Sequence, residues 1–179
     1  TQLAKVFSEL PENLPEDNLL DELWQWHEFE HEYLNQRGRD DIDVYHMGTT
    51  LVTWFVYEDR YYWANCGDSR IFRFRDNVLT QLSKDHSLFQ KTGNPDDEHV
   101  ITNWMGGGCS HSYLEIGNIT NEHRQGDVYI LCSDGLTDML SDAEISSVLE
   151  SGGRAKELTL AACEAGGRDK VSVCVVETI

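Results

Sequence analysis

The sequence predicts an α+β protein in which antiparallel β-strands form a sandwich and helices pack outside it. Three patterns predict this class: an apolar stripe at helical spacing in the first third, short runs of β-branched and aromatic residues in the middle, and two helical patterns before a last strand-like run. No low-complexity linker divides the 179 residues, and 40% of them are hydrophobic. We therefore expect one domain over residues 1–179.

The N-terminal third is predicted to be helical. Leu3, Val6 and Phe7 lie at helical spacing, and a second apolar stripe ends at Gly38, a typical helix stop. The second stripe consists of Leu19, Leu20, Leu23, Trp26 and Leu34. We expect these side chains to pack in the core.

From Val44 onwards, the residue pattern changes from helical spacing to short runs typical of β-strands. Strand-like runs occupy residues 49–57, 60–66, 71–75, 78–83, 112–119, 127–133 and 171–179. Short polar turns such as Asp76-Asn77 separate consecutive runs, which indicates antiparallel order. Helical patterns cover residues 142–150 and 155–165. The irregular, Gly-rich residues 87–111 are predicted to form a surface excursion.

Composition excludes several classes of function. The formal net charge of −18 repels nucleic acid and anionic membrane surfaces, so we expect neither as a partner. No run approaches the roughly 18–20 apolar residues that span a bilayer, and the first residues lack a signal-peptide pattern. Cys66, Cys132 and Cys174 lie in apolar runs, without a CxxC pair, and are expected to be reduced core thiols. A cytoplasmic location is expected.

Three aspartates follow or precede strands in similar settings. Asp68 follows a strand-like run after Gly67, Asp134 comes directly after another run, and Asp169 leads into the last one. Carboxylates at strand ends beside glycines can converge at one sheet edge, where their repulsion favours a bound cation. Oxygen ligands favour Mg²⁺ or Mn²⁺. Each aspartate is also typical of a turn or a helix cap, so both interpretations stay open.

Four motifs occur in one order over residues 47–176. The string CGDSRIFRFRDNVLTQLSKDHS resembles the GDSR…LTxDHS segment of the metal-dependent protein phosphatases (PPM, type 2C). MGTT before it is similar to the GTT strand entry of that family. After it, DVYILCSDGLTDMLSDAEI resembles the LLxSDGLxD segment, and GGRDKVSVCVV is similar to the closing GGxDNxTVxVV.

This resemblance implies a layered α/β/β/α sandwich of antiparallel sheets flanked by helix pairs, with a cleft at one end that holds two or three Mn²⁺ or Mg²⁺ ions. By the motifs, Asp134 and Asp169 match ligands of the first metal. Asp68 matches a ligand of a third metal, which also uses Asp134.

Neighbouring residues acquire roles from the same resemblance. Gly67 and Gly135 would keep the backbone close to the site. Thr49 and Thr50 match positions behind the ligands or in the packing around them. Residues 87–111 match the flap, a variable segment that borders the cleft and is implicated in substrate choice.

The implied activity is that of a protein serine/threonine phosphatase, a signalling hydrolase in which a metal-activated water attacks phosphoserine or phosphothreonine of a phosphoprotein. Cys66 and Cys132 belong to no CxxxxxR loop, which disfavours a cysteine phosphatase. Two alternatives stay open. The chain could be a catalytically degenerate member that binds phosphoproteins or a regulatory partner, or it could act on small metabolites or anti-sigma-type regulators.

The sequence departs from the family pattern in two places. The RxxNxD and DGxGG motifs, which carry a phosphate-binding Arg and a bridging Asp, do not occur before Met47, so no catalytic residue is assigned in this chain. Without the strands that carry them, sheet edges would be exposed and could pair with another chain. Lys170 replaces the usual Asn and would compete with a cation. His86 is expected to make a structural hydrogen bond, and three histidines are expected to be exposed, namely His99, His111 and His123.

Overall fold

Two antiparallel sheets stack face to face in the computed structural model, which describes residues 7–178 of the chain. The strands are β1 (Gly48–Thr49), β2 (Leu51–Tyr57), β3 (Arg60–Cys66), β4 (Arg70–Arg75), β5 (Val78–Gln81), β6 (Met105–Gly106), β7 (Glu115–Asn118), β8 (Val128–Cys132) and β9 (Val173–Glu177). One sheet has the order β2-β3-β7, the other β5-β4-β8-β9, and β1 pairs separately with β6.

Helices cover the two outer faces of this sandwich. They are α1 (Glu16–Asp40), α2 (Phe89–Thr92), α3 (Asp134–Thr137), α4 (Asp142–Glu150) and α5 (Ala155–Glu164), with single 3₁₀ turns at Ile42–Val44 and Pro95–Asp97. On one side, Leu19 and Leu23 of α1 are buried against the β2-β3 sheet. On the other side, Ile145 and Leu158 pack against the four-stranded sheet. The layers therefore follow the predicted α/β/β/α order, and the fold class is confirmed.

The faces between the sheets form a third apolar cluster. Trp63 of β3 packs with Ile71 and Tyr129 of the opposite sheet, and Ile71 and Tyr129 have no exposed surface. The hairpin from β4 to β5 turns at Asp76 and Asn77, with φ of 50° and 61°. A two-residue turn with both φ values positive matches the strand twist, which explains why the predicted turn forms here.

The segment 87–111 is only partly the surface excursion that was predicted. Its first half is exposed and forms α2 and a 3₁₀ turn. Its second half is part of the fold, because Met105 is 3% exposed and pairs through β6 with Thr49. This pairing also divides the predicted strand 49–57 into β1 and β2, with Thr50 between them.

Two further predictions were wrong. Cys66 and Cys132 are buried, but Cys174 is exposed, because β9 is the outer strand of its sheet and borders an open groove between the sheets. His123 is not exposed: its ring stacks on Tyr61 with the ring centres 3.8 Å apart.

Some expectations are not tested by the structure. The positions of Leu3, Val6 and Ile179 lie outside the described residues. The single domain over residues 1–179 stays a prediction. Between residues 7 and 178, no helix has the length and apolar character that crossing a membrane requires.

Candidate metal-binding site

Strand register brings the three predicted aspartates to one end of the four-stranded sheet. Arg70, the first residue of β4, pairs with Cys132 at the end of β8, and Cys132 pairs with Val173 at the start of β9. The loop before β4, the segment after β8 and the loop before β9 must therefore meet at this end. These segments carry Asp68, Asp134 and Asp169, respectively.

Asp68 lies half-buried in the tight loop between β3 and β4. Gly67 before it has φ of 122°, and a Cβ atom there would lie 2.3 Å from Cγ2 of Thr50. Only glycine fits this close approach. Thr50 also shares a hydrogen bond of 2.9 Å with the hydroxyl of Ser69, so the predicted neighbours of Asp68 do contact its loop.

Asp134 is the first residue of α3, and its Oδ1 accepts a hydrogen bond of 2.9 Å from the N–H of Gly135. Gly135 packs directly on the loop before β9, because a Cβ atom there would lie 2.5 Å from the carbonyl oxygen of Lys170. Ser133 adds three hydrogen bonds to this loop. Its N–H donates to the carbonyl of Ser172 at 3.0 Å, its hydroxyl donates to the carbonyl of Lys170 at 3.2 Å, and its hydroxyl oxygen accepts from the N–H of Ser172 at 3.1 Å. The backbone at Gly135 therefore lies directly against the loop that carries Asp169.

Asp169 is exposed, in contrast to Asp68. Its Oδ1 accepts a hydrogen bond of 2.6 Å from the N–H of Lys170, and the Lys170 side chain is itself exposed. A cavity of about 320 Å³ connects this loop with α3; its lining includes Glu98, His99, Gly135, Asp138, Arg168 and Asp169. The exposed aspartate therefore faces the same depression as the residues that follow Asp134.

The carboxylates at this end repel one another. Burial raises the pKa of Asp68, and the negative charge of Asp134 raises it further. Burial also raises the pKa of Asp138, where the nearby His99 opposes the shift and the charge of Asp134 adds to it. Asp134 thus lies within electrostatic reach of both, which is the situation that a bound cation relieves.

Sequence reasoning missed Asp138. It follows Asp134 by four residues, and its backbone N–H donates to the carbonyl of Asp134 at 2.8 Å. One helical turn places two side chains on the same side, so the DxxxD spacing at the start of a short helix was the available signal.

The donor set fits a hard divalent cation in chemistry, since it consists of carboxylate oxygens. Its geometry is incomplete, however: over residues 7–178, no group of three or more His, Cys, Asp or Glu side chains is arranged to hold a metal ion. The described residues bring Asp68 and Asp134 into electrostatic contact and leave Asp169 on an adjacent loop.

The buried cysteines near this end are not nucleophiles. Burial raises the pKa of Cys66 to about 11 and that of Cys132 to about 12. Thiols in this state are unreactive at neutral pH. The expectation against a cysteine-based mechanism therefore agrees with the environment of both thiols.

Comparison with known proteins places these features in one family. The family model described as protein phosphatase 2C matches residues 2–160. The serine/threonine phosphatase stp of Listeria innocua is 30% identical over 155 residues, which cover 78% of this chain and 60% of the relative. The protein phosphatase PhpP of Streptococcus pneumoniae is 32% identical over 164 residues, covering 83% of this chain and 65% of that protein. The chain thus spans less than two thirds of the length of these curated relatives.

Solved structures show the same fold. The serine/threonine phosphatase of S. agalactiae superposes with a TM-score of 0.82 at 27% identity, over 99% of this chain and 78% of that one. The catalytic domain of the phosphatase PstP, solved in complex with two manganese ions, gives a TM-score of 0.79 at 29% identity, over 99% of this chain and 77% of that one.

Proposed function

The chain belongs to the protein phosphatase 2C family, and we propose that it serves the metal-dependent hydrolysis of phosphoserine and phosphothreonine in proteins. The observation that carries the proposal is the meeting of Asp68, Asp134 and Asp169 at one end of the sheet, with charge repulsion between Asp68 and Asp134. The two manganese ions in the structure of PstP support Mn²⁺ or Mg²⁺ as the cation.

In this proposal the aspartates hold the metal ions, and Asp138 joins them as a further carboxylate next to Asp134. When bound, such ions lower the pKa of a coordinated water and neutralise charge on the phosphoryl group. The half-buried loop that carries Asp68 and the hydrogen bond from Gly135 to Asp134 at the start of α3 orient two of these carboxylates. In a chain of net charge −18, phosphate would otherwise be repelled.

The exposed half of the flap segment is proposed to border the substrate. His99 Nδ1 lies 3.8 Å from Oδ2 of Asp138, and Oε1 of Glu98 lies 3.5 Å from Nη2 of Arg70. Both residues also line the cavity beside Asp169. A phosphoprotein that reaches the carboxylates would therefore meet this segment, which supports its proposed part in substrate choice.

The second candidate function is that of a degenerate family member that binds a partner without catalysis. It is favoured by the incomplete ligand arrangement between residues 7 and 178. Pairing with another strand is part of this proposal, because the outer strands β2 and β9 border a groove of about 620 Å³. Apolar side chains such as Leu51, Trp54 and Val176 line the groove. A cytoplasmic location and a role in signalling remain proposals.

The test uses the full-length protein with Mn²⁺, p-nitrophenyl phosphate and a phosphothreonine peptide. We expect turnover that a chelator abolishes and that Asp134→Asn lowers by at least about 100-fold. The matched control is Asp59→Asn, at an exposed turn away from the site, which should leave turnover unchanged.

Calorimetric titration with Mn²⁺ separates the two candidates. Stoichiometric binding with turnover supports the phosphatase, and Mn²⁺ binding or partner binding without turnover supports the degenerate member. Turnover that neither a chelator nor Asp134→Asn changes would contradict the metal-dependent mechanism.

A further inference from the structure

The segment Lys84–Ser87, here called the clamp segment, holds both ends of the loop that carries Asp68. At one end, the guanidinium of Arg70 donates to both carboxylate oxygens of Asp85, with Nε 2.9 Å from each and Nη2 2.5 Å from Oδ2. At the other end, the N–H of His86 donates to the carbonyl of Gly67 at 3.0 Å. Two adjacent residues therefore fix the loop Gly67–Arg70 from both sides.

The ring of His86 makes the most specific of these contacts. Its Nδ1 lies 3.0 Å from the backbone nitrogen of Gly67, whose N–H donates to it. The N–H of Gly67 is buried and leaves the strand ladder at this point, so it needs a side-chain acceptor. With φ of 122°, the Gly67 peptide adopts a conformation that few residues populate, and the ring nitrogen holds it there.

The surrounding groups determine which ring nitrogen of His86 carries the proton. The amide of Asn103 is oriented by Tyr113: its Oδ1 accepts from the Tyr113 N–H at 3.0 Å, and its Nδ2 donates to the Tyr113 carbonyl at 2.8 Å. The other N–H of Asn103 Nδ2 points to Nδ1 of His86 at 2.7 Å. Nδ1 thus faces two donors and must be an acceptor.

The second ring nitrogen completes the assignment. Nε2 of His86 lies 3.3 Å from Oε2 of Glu115, and a carboxylate can only accept, so Nε2 carries the proton. Burial lowers the pKa of His86, with the Glu115 carboxylate opposing the shift, which agrees with a neutral ring. In the neutral Nε2–H form, the single lone pair of Nδ1 is shared between the N–H groups of Gly67 and Asn103, and the Nε2–H faces Glu115. The imidazolium would leave the N–H groups of both Gly67 and Asn103 without this acceptor.

We propose that His86, as its neutral Nε2–H tautomer, is the positioning residue for Asp68: its Nδ1 sets the Gly67 peptide from which Asp68 extends. The ring has no contact with a substrate in this scheme and acts through the loop. The consequence for metal affinity rests on the proposed phosphatase function, whereas the consequence for the Gly67 peptide does not.

Two substitutions separate the two ring nitrogens. His86→Asn places an amide oxygen near the position of Nδ1 and keeps an acceptor for Gly67. His86→Gln reaches the position of Nε2 but has no acceptor near Gly67. We expect hydrogen exchange at the Gly67 amide to accelerate at least about 10-fold in His86→Gln and to stay within about 3-fold in His86→Asn. Mn²⁺ affinity should follow the same order, with a loss of about 10-fold in His86→Gln.

A chemically matched histidine serves as the control. Nδ1 of His31 accepts a hydrogen bond of 3.1 Å from the N–H of Gly106, which also has positive φ, but this pair lies at β6, away from the aspartates. His31→Gln should accelerate exchange at Gly106 and leave Mn²⁺ affinity unchanged. Urea unfolding of each variant identifies any general loss of stability.

The readouts distinguish failure of this inference from failure of the proposed function. Ring ¹⁵N shifts that show a protonated Nδ1 in the wild-type protein, or unchanged Gly67 exchange in His86→Gln, would overturn the positioning role. If hydrogen exchange at Gly67 were accelerated in His86→Gln but the Mn²⁺ affinity equalled that of the wild type, His86 would support the fold only. The positioning role for Asp68 would then be contradicted. A wild-type protein that binds no Mn²⁺ would refute the metal site. Hydrogen exchange at Gly67 and the ring ¹⁵N shifts of His86 would still show whether Nδ1 of His86 holds the Gly67 peptide.

Discussion

At each end of strand β4 an arginine pairs with a buried aspartate, but carboxyl pKa values are lowered at one end and raised at the other. The near end is the one beside the predicted metal site, at Arg70, and the far end is at Arg75. At the far end, Arg75 donates to Asp127 through Nε at 2.5 Å and Nη2 at 2.6 Å. The backbone of Arg124 and the hydroxyl of Tyr129 also donate to Asp127. Burial pushes the pKa of Asp127 up, but these donors outweigh it and bring the pKa down to about 2.

At the near end, Arg70 pairs with Asp85 and Glu98, and the carboxylates of Asp68 and Asp138 have no ion pair with it. The pKa values of Asp68 and Asp138 are raised, first by burial. This difference in carboxyl pKa values shows that the charge of Asp127 at the far end stabilises the fold, whereas the charges of Asp68 and Asp138 at the near end oppose it. Charge that folding tolerates at one end of a sheet is typical of a functional site.

The largest effect is expected where the near end is most tightly packed. Gly67→Ala should destabilise the protein by about 3 kcal/mol, because a Cβ atom would overlap Thr50 and because φ is positive. Gly166 lies in the loop that carries Asp169 and also has a positive φ, of 139°. A Cβ atom added there would have as its nearest atom Sδ of Met139, at an ordinary contact distance of 3.7 Å. Gly166→Ala should cost only about 1 kcal/mol. Urea unfolding measures both, and equal losses would contradict this explanation.

A smaller effect is expected at the far end. Asp127→Asn should lower stability at pH 7 by about 2 kcal/mol, since the folded-state pKa is about 2 against an ordinary value of 3.8. A depressed pKa stabilises the fold above pH 4, and this contribution is lost as the pH falls from about 4 towards 2. The variant should lack that part of the pH dependence. If urea unfolding at several pH values gave wild type and variant the same slope, the ion pair would not be the cause.

The smallest effect is expected to have the opposite sign. Because the pKa of Asp68 is raised, its charge opposes folding at pH 7, so Asp68→Asn should stabilise the protein by roughly 0.5 kcal/mol in the presence of a chelator. A raised carboxyl pKa also means that the contribution of Asp68 to stability becomes less unfavourable as the pH falls towards that pKa, and the variant should lack this change. Thermal unfolding with chelator and with Mn²⁺ provides the measurement.

Asp59→Asn at an exposed turn is the control for this variant. Added Mn²⁺ should stabilise the wild type and the control more than Asp68→Asn. A loss of stability in Asp68→Asn without metal would show that the two ends of β4 do not differ in the proposed way.

The strand and helix patterns allowed an α+β sandwich to be predicted, and the resemblance to the phosphatase family implied the order of its layers. The common location of the three aspartates could be predicted because strand ends in an antiparallel sheet fix where the loops emerge. The sequence could not reveal that Asp138 joins them, since the short helix α3 was not predicted. The partners of His86 could not be predicted either. The sequence predicted a structural hydrogen bond, but the role of Nδ1 as an acceptor depends on Asn103 and Tyr113, which lie near the ring only in the folded chain.

Long-range contacts explain the remaining errors. The two-residue pairing of β1 with β6 gives residues 87–111 a buried half, and no local pattern signals a pairing between strands more than 50 residues apart. The exposure of Cys174 depends on what lies in the groove between the sheets rather than on the apolar run around it.

The open groove also supplies a chemical reporter. Cys174 lines the groove and is exposed, Cys163 is exposed on α5 outside it, and the other three thiols are buried. The alkylation rate of Cys174, divided by that of Cys163 in the same molecule, therefore measures whether the groove is filled. Cys163 on α5 serves as the internal standard. A strand that fills the groove would slow labelling at the first site and leave the second unchanged.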